Sequence, residues 1–348
     1  MRKHLGIVLA AFFYYSGLVK LARWLTKRSG QRLIILTYHH ATGGDLHGHL
    51  LYLRRHYRML HLEEALEELY GQQKEWVSAQ DPRPPLVLAF DDGYHDNYTH
   101  AFVLARELQV PITIFLIPGY VESGKYFWWQ ERERLVRRTQ VDKVTIEGQT
   151  YHLRQEEQRV LLAQKIYTHL RHASSVAERE EFLTTVCEML AVPSSVTEEE
   201  EEKYRSLTWA EIHKMEKSGW VSFGAHTMHH PVLAYLTDPT EIHREVGDCR
   251  RVLEQRLGHP LRAFAYPIGK PEHIGDEGLR AVQEAGYDWA VTTVDGINTP
   301  QSDPHQLRRV SGDVSRHWLV MAAEVSGVWR IFSPLWKWKD SFVGEAYK

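Results

Sequence analysis

Two neighbouring carboxylates, Asp91 and Asp92, follow directly on the apolar run Leu86-Val87-Leu88-Ala89-Phe90 and precede Gly93. At the mouth of a buried strand such a pair is costly in repulsion and lost hydration unless a metal ion or a proton is shared between them. Successive strand side chains point to opposite faces, so both can serve one site only where the strand ends or turns, and Gly93 permits a turn. Further on, Trp220-Val221-Ser222-Phe223-Gly224-Ala225 runs into His226-Thr227-Met228-His229-His230-Pro231. Imidazoles four positions apart, His226 and His230, can share one face of a helical turn, and neutral imidazole is a good ligand for zinc and related ions. His229 would point elsewhere, to the surface or to a supporting contact. With 21 His in 348 residues, chance alone supplies on the order of one such pair. An ordinary Asp-Asp-Gly turn therefore stays open on spacing alone. Position weighs more, because both groups follow a short apolar run. A third run, Arg262-Ala263-Phe264-Ala265-Tyr266, ends in Pro267-Ile268-Gly269, where Pro and Gly stop the strand and let the main chain approach a ligand. Three strand ends suggest a common rim.

The elements that must carry this rim alternate. Apolar runs at Leu33–Tyr38, Leu86–Phe90, Ile112–Ile117, Val221–Ala225, Trp289–Val294 and Leu307–Val310 are separated by helical patterns. Among these, Thr208-Trp209-Ala210-Glu211 is a capping box opening a helix to Lys217, Pro239 to Leu257 is a second helix, and Glu277 to Ala285 a third. Such alternation argues for a parallel sheet. Residues 122–205 form an insertion with helical stretches around Glu156–Arg171 and Ala177–Leu190, the run Glu198 to Glu202 as a solvated loop or helix start, and the triplet Phe127-Trp128-Trp129. Lying soon after a strand at the catalytic end, Trp128 is a candidate to stack on sugar, with core packing as the alternative.

Taken together, Phe90-Asp91-Asp92-Gly93, His226-Thr227 through His230 and Tyr266-Pro267-Ile268-Gly269 resemble the three leading motifs of the polysaccharide deacetylases (NodB-like, family-4 carbohydrate esterases), over roughly residues 32 to 313. The resemblance implies an α/β fold, a distorted (β/α)7-type barrel over 32–315 with its active residues at the strand C-termini. It implies Asp92, His226 and His230 as ligands of a divalent metal, zinc first and Co, Ni or Mn as alternatives, and Asp91 as general base. Tyr266, Pro267 and Gly269 would border the substrate. The reaction implied is hydrolysis of an N-acyl group, acetyl or formyl, on an amino sugar. An O-acetyl esterase and an inactive sugar-binding protein are the alternatives.

Two usual residues of that family are missing. Ala265 stands where an Arg precedes the third-motif Pro, and Leu307-Arg308-Arg309 falls where a Leu-x-His motif supplies the acid. Some branches of the family, those acting on poly-N-acetylglucosamine, look permuted, taking the acid His from the first strand; here that strand ends in His39-His40. In a closed barrel the first and last strands are neighbours, so one spot is reachable from either. His39 is accordingly expected as general acid, with a polar residue closing the strand as the alternative, and Arg309 as the partner of Asp91, with an ordinary surface or interstrand Arg as the alternative.

The formal net charge of −3 gives no footprint for nucleic acid, and Cys187 and Cys249 alone make no disulfide framework or cysteine metal cluster. The ends are different. In segment 1–31, Leu5 to Val19 is apolar, flanked by Arg2, Lys3 and His4 and by Lys20, Arg23, Lys27 and Arg28, with no acidic residue before Asp45. Fifteen residues of helix reach ~22 Å against ~30 Å of hydrocarbon, and no convincing cleavage site follows. A helix lying in an anionic membrane surface is the leading expectation, at the bacterial inner membrane with the cytoplasmic face favoured, before a spanning anchor or a cleaved signal. Segment 316–348 adds Trp318, Trp329, Trp336 and Trp338 among basic residues, a pattern suited to the membrane interface; a helix packed on the barrel explains Trp318 equally well, and the interface is the better reading after Pro334. The expected substrate is then a growing surface polysaccharide or a lipid-linked amino sugar.

Overall fold

The computed structural model describes residues 2–28, 30–71, 81–192, 197 and 204–332. The Glu198–Glu202 run and the tail with Trp336 and Trp338 lie outside them.

Ten strands form among the described residues: β1 (Ile34–Tyr38), β2 (Arg58–Leu60), β3 (Pro85–Phe90), β4 (Ile112–Leu116), β5 (Lys143–Ile146), β6 (Gln149–His152), β7 (Val221–Ala225), β8 (Ala263–Ala265), β9 (Trp289–Asp295) and β10 (Leu307–Ser311). The main sheet runs β1-β10-β9-β8-β7-β4-β3-β2, every pairing parallel, and β1 also pairs with β3. That extra pairing, Ile34↔Leu86 through Tyr38↔Phe90, closes a seven-stranded barrel, with β2 beside the start of β3. The expected (β/α)7 barrel is therefore the fold.

Period-two alternation divides each strand between two apolar clusters. Ile34, Leu36, Tyr38, Leu86, Leu88, Phe90, Phe264 and Tyr266 face the surrounding helices. Leu33, Ile35, Val87, Ala89, Phe115, Ala263, Ala265 and Leu307 fill the barrel, whose lower end takes Leu62, Leu66 and Leu69 of the helix Leu62–Tyr70. Phe115 needs the inward position Gly224 on β7 to lack a side chain: a Cβ there would sit 2.5 Å from its ring. Continuing the inward register by one step past the apolar layer reaches His39, Asp91, His226 and Arg309.

The helices mostly match expectation. Trp209–Lys217 opens with the Thr208/Glu211 capping box, and Pro239–Leu257 is one helix. The third starts earlier, at Pro271, and kinks at Gly275 (φ 68°). The insertion has its own core around Trp128, Leu135, Leu162 and Ile166. It holds a hairpin, β5-β6, that the expected helical pattern left out; Glu147 and Gly148 at φ 48° and 77° make its two-residue turn. Segment 2–28 is two helices, Arg2–Tyr15 and Leu18–Arg28, bent by 67°. Their Ala10, Phe13, Val19 and Ala22 pack on Leu319, Ala323 and Val328 of the C-terminal helices Trp318–Ser326 and Val328–Phe332.

Candidate active site

Asp91 and Asp92 reach one site because the chain turns at Asp92 itself. Its φ is 72° and that of Gly93 is 70°, so the left-handed turn starts one residue earlier than Gly93 alone would allow. Thr227, His230 and Ile268 also take positive φ, at 62°, 56° and 60°. Thr227 and Ile268 are β-branched, for which this region is strongly disfavoured. Four of the seven such non-glycine residues among those described thus crowd the three strand-end motifs, the usual location of stored backbone strain. The His pair converges through this left-handed loop and not on a helical turn as its spacing suggested: residues 226–230 contain no helix. Thr227 Oγ1 accepts the His230 N–H at 3.0 Å and fixes the loop.

The nitrogens of His226 and His230 close on one oxygen. Asp92 Oδ1 lies 3.4 Å from His226 Nε2 and 3.7 Å from His230 Nε2. All three residues are buried, and one ligand atom from each lies within 4.8 Å of the others. His226 Nδ1 is 2.6 Å from the Ala265 carbonyl and donates to it, which leaves Nε2 as a lone pair in the neutral ring. Asp92 Oδ1 has no hydrogen-bond partner. Lone pairs converging in a buried pocket repel unless a cation sits between them. Around a tetrahedral zinc with bonds of ~2.0–2.1 Å, ligand atoms stand roughly 3.3 Å apart, close to the distances here. The donor set therefore fits a divalent ion. Burial alone would raise the Asp92 pKa, yet the adjoining His226, His39 and His230 hold the carboxylate far below its ordinary range. Burial, with His226 alongside, pushes the His230 imidazole down to about 3, so it is neutral and ready to ligate.

Asp91, 2% exposed, is held from the other side. Arg309 Nη1 donates to Asp91 Oδ1 at 2.7 Å and to Thr37 Oγ1 at 3.0 Å, and Nε donates to the Thr292 carbonyl at 2.7 Å. A register shift between β9 and β10 beside Arg309 aims it there. Burial would raise the Asp91 pKa, but Arg309 foremost, then His226 and His39, keep it below the usual carboxylate value. His39 Nε2 lies 3.9 Å from Asp91 Oδ2, its side chain 27% exposed at the rim. Desolvation lowers its pKa, and Asp92 and Asp91 oppose that.

The substrate-side expectations fare less evenly. Tyr266 stands on the outward register, its ring 5.2 Å from Phe264 and its hydroxyl donating to the His305 carbonyl, so its side chain belongs to the outer core and not to the site. Pro267 and Gly269 form the turn at the rim; a Cβ on Gly269 (φ 67°) would lie 2.8 Å from the Thr293 nitrogen. Trp128 is 1% exposed and cannot stack on sugar; it donates Nε1–H to the His230 carbonyl at 3.0 Å. Its half-buried neighbour Trp129 is the ring beside the site, 4.5 Å from that of His230 and donating to the Tyr94 hydroxyl at 2.7 Å. His229 turns away to Glu245, 2.6 Å off. Sequence reasoning missed Trp129, Thr37 and the Arg179 guanidinium that donates to the His229 carbonyl. The inward parity of Thr37 with His39 was the available signal for the second.

Comparison with known proteins places this geometry. Bacillus subtilis (strain 168) YxkH, whose curated name puts it among the polysaccharide deacetylases, is 21% identical over 291 residues, spanning 82% of this chain and 74% of its own. Streptococcus pyogenes deacetylase PplD, solved in complex with acetate, superposes with a TM-score of 0.54 at 17% identity, covering 84% of this chain and 98% of that one. IcaB from Ammonifex degensii gives 0.54 at 18% identity over 85% and 98%. At these identities the two structures attest the barrel. The polysaccharide deacetylase family model matches residues 78–189 and 195–290, more than half of the sequence, although β1 with His39 and β10 with Arg309 fall outside the match. On that match the chain belongs to the polysaccharide deacetylase family and is a hydrolase of carbon–nitrogen bonds.

Proposed function

We propose that this deacetylase removes an N-acyl group, acetyl or formyl, from an amino sugar of a surface polysaccharide or lipid-linked glycan, working at a membrane surface. The observation that carries the chemistry is the buried Arg309–Asp91 pair with His39 3.9 Å away, set beside the Asp92, His226 and His230 pocket. Those three residues would hold zinc, or Co, Ni or Mn, which when bound polarises the acyl carbonyl and lowers the pKa of water. Asp91 takes the proton of the attacking water. Arg309 keeps it ionised for that role and, through Thr37 and Thr292, fixes its orientation. His39, at the open rim and within reach of the Asp91 carboxylate, donates a proton to the departing amine. Acetate bound to the relative PplD supports acetyl as the acyl group. An inactive sugar-binding relic is disfavoured, since a lone sugar site has no use for a buried charged pair on the inward register.

The test is acyl release from N-acetylglucosamine oligomers and lipid-linked amino sugars by protein of measured metal content, alongside Asp91→Asn and His39→Ala. Loss of turnover in both variants is expected. Full activity in Asp91→Asn would overturn the mechanism, full activity in His39→Ala the assigned acid, and release of O-acetyl groups alone the amide substrate.

A further inference from the structure

The helix Arg2–Tyr15 turns a row of large hydrophobic side chains outward. Leu5, Val8, Phe12 and Tyr15, spaced three and four apart, are 44%, 64%, 60% and 77% exposed. Leu18–Arg28 exposes Leu21, Trp24 and Leu25 by 43% or more, together with Lys20, Lys27 and Arg28. The opposite sides of both helices are fixed to the protein. Phe13 meets Trp329 edge-on at 4.9 Å, Tyr14 meets Trp318 at 5.0 Å, and Arg23 donates to the Tyr52 hydroxyl.

We infer that this face is an in-plane docking surface for an anionic lipid bilayer, seating the barrel rigidly on the membrane. The occupant follows from charge and length. Every charged side chain before Asp45 is basic, so a second copy placed face to face by a two-fold axis would oppose like charges, whereas acidic headgroups complement them. Neither helix alone is long and apolar enough to span; the two pass that test together only across a 67° bend at the left-handed Gly17 (φ 83°), and the packing of Ala10, Phe13, Val19 and Ala22 on Leu319, Ala323 and Val328 holds both against the protein. Apolar rings sunk into the acyl boundary, with lysines at headgroup level, is the binding mode of interfacial helices. The inference rests on the membrane-side substrate proposed above for its purpose.

Flotation of the full chain with phosphatidylcholine vesicles, with and without phosphatidylglycerol, tests it apart from catalysis. Binding should tighten about a hundredfold with the acidic lipid, a factor of roughly five for each of three exposed basic side chains, and fall with salt. Phe12→Asp should weaken it more than tenfold while thermal stability and turnover of a soluble oligomer stay at parental values. Lys20→Glu/Lys27→Glu should abolish the lipid preference. Unchanged binding in Phe12→Asp overturns the inference. So does resistance to alkaline extraction, which marks a spanning anchor, or a dimer lost in Phe12→Asp without vesicle binding. A parent that floats but deacetylates nothing refutes the enzymatic reading and leaves the docking face standing.

Discussion

Replacing Arg309 by methionine keeps most of its stem inside the barrel and deletes the charge that faces Asp91. The contact is 2.7 Å between Nη1 and Oδ1, and both side chains are almost wholly buried. With charge centres roughly 4 Å apart and an effective dielectric of about 20, the attraction is about 4 kcal/mol, equivalent to roughly 3 pKa units. His226, His39 and an ion at Asp92 remain in the variant, so the Asp91 pKa should rise by about 1–3 units. The direction follows from Arg309 being the foremost influence that opposes burial at this carboxylate. The acid limb of the kcat/KM profile for N-acetylglucosamine oligomers should therefore move up by about 1–3 pH units. Below that limb the loss should level off at about 10–10³-fold, tenfold for each pH unit of the shift. Stability should drop by about 3–5 kcal/mol at neutral pH, because a buried carboxylate is left without its partner. A depressed carboxylate stabilises the fold above its unfolded pKa and loses that contribution as pH falls through the lower folded pKa, so the gap between parent and variant should begin to narrow only below the ordinary carboxylate range. Asp91→Asn/Arg309→Met should regain part of the stability and none of the activity. A folded Arg309→Met protein whose acid limb and kcat/KM match the parent would refute the assignment of Arg309 as the residue that holds the base.

Three further outcomes are expected. Asp92→Ala and His226→Ala should each lose bound metal on dialysis, read by elemental analysis, together with at least ~10³-fold of turnover, since each removes one of three ligands. His39→Gln should lower kcat for amides by ~10²–10⁴-fold but spare aryl acetates, whose leaving group needs no proton; equal losses on both would point to a structural role. Trp128→Phe removes the donor to the His230 carbonyl and should cost about 1 kcal/mol in chemical denaturation with weaker metal retention; unchanged values would show that Trp128 does not brace the ligand loop.

The barrel was legible because period two and buried runs are local properties: once Leu86–Phe90 is read as a strand, Asp91 is fixed as the next inward position. The same parity would have turned Tyr266 outward with Phe264, and the expectation that it borders the substrate ignored a signal that was present. Trp128 is a different case. Nothing in Phe127-Trp128-Trp129 says which ring a helix will bury, because that depends on the insertion packing around Tyr94 and Tyr120. Left-handed φ at Asp92, Thr227 and His230 was also invisible, since it is imposed against local preference by the surrounding motifs. Arg309 and His39 were found by subtraction, from usual residues found missing and the knowledge that a closed barrel makes first and last strands neighbours.

That adjacency has a consequence for the order in which competence is acquired. β1 and β10 stand about 270 residues apart in the chain and meet only when the barrel closes, Leu36 against Val310. The cradle of Asp92, His226 and His230 is complete in the chain some 80 residues before Arg309 leaves the ribosome. A chain truncated before β10 would carry the three candidate donors and lack Arg309, the cation that faces Asp91. Whatever proton chemistry Asp91 performs therefore depends on closure of the barrel, because its cation reaches it only from the strand that pairs with β1.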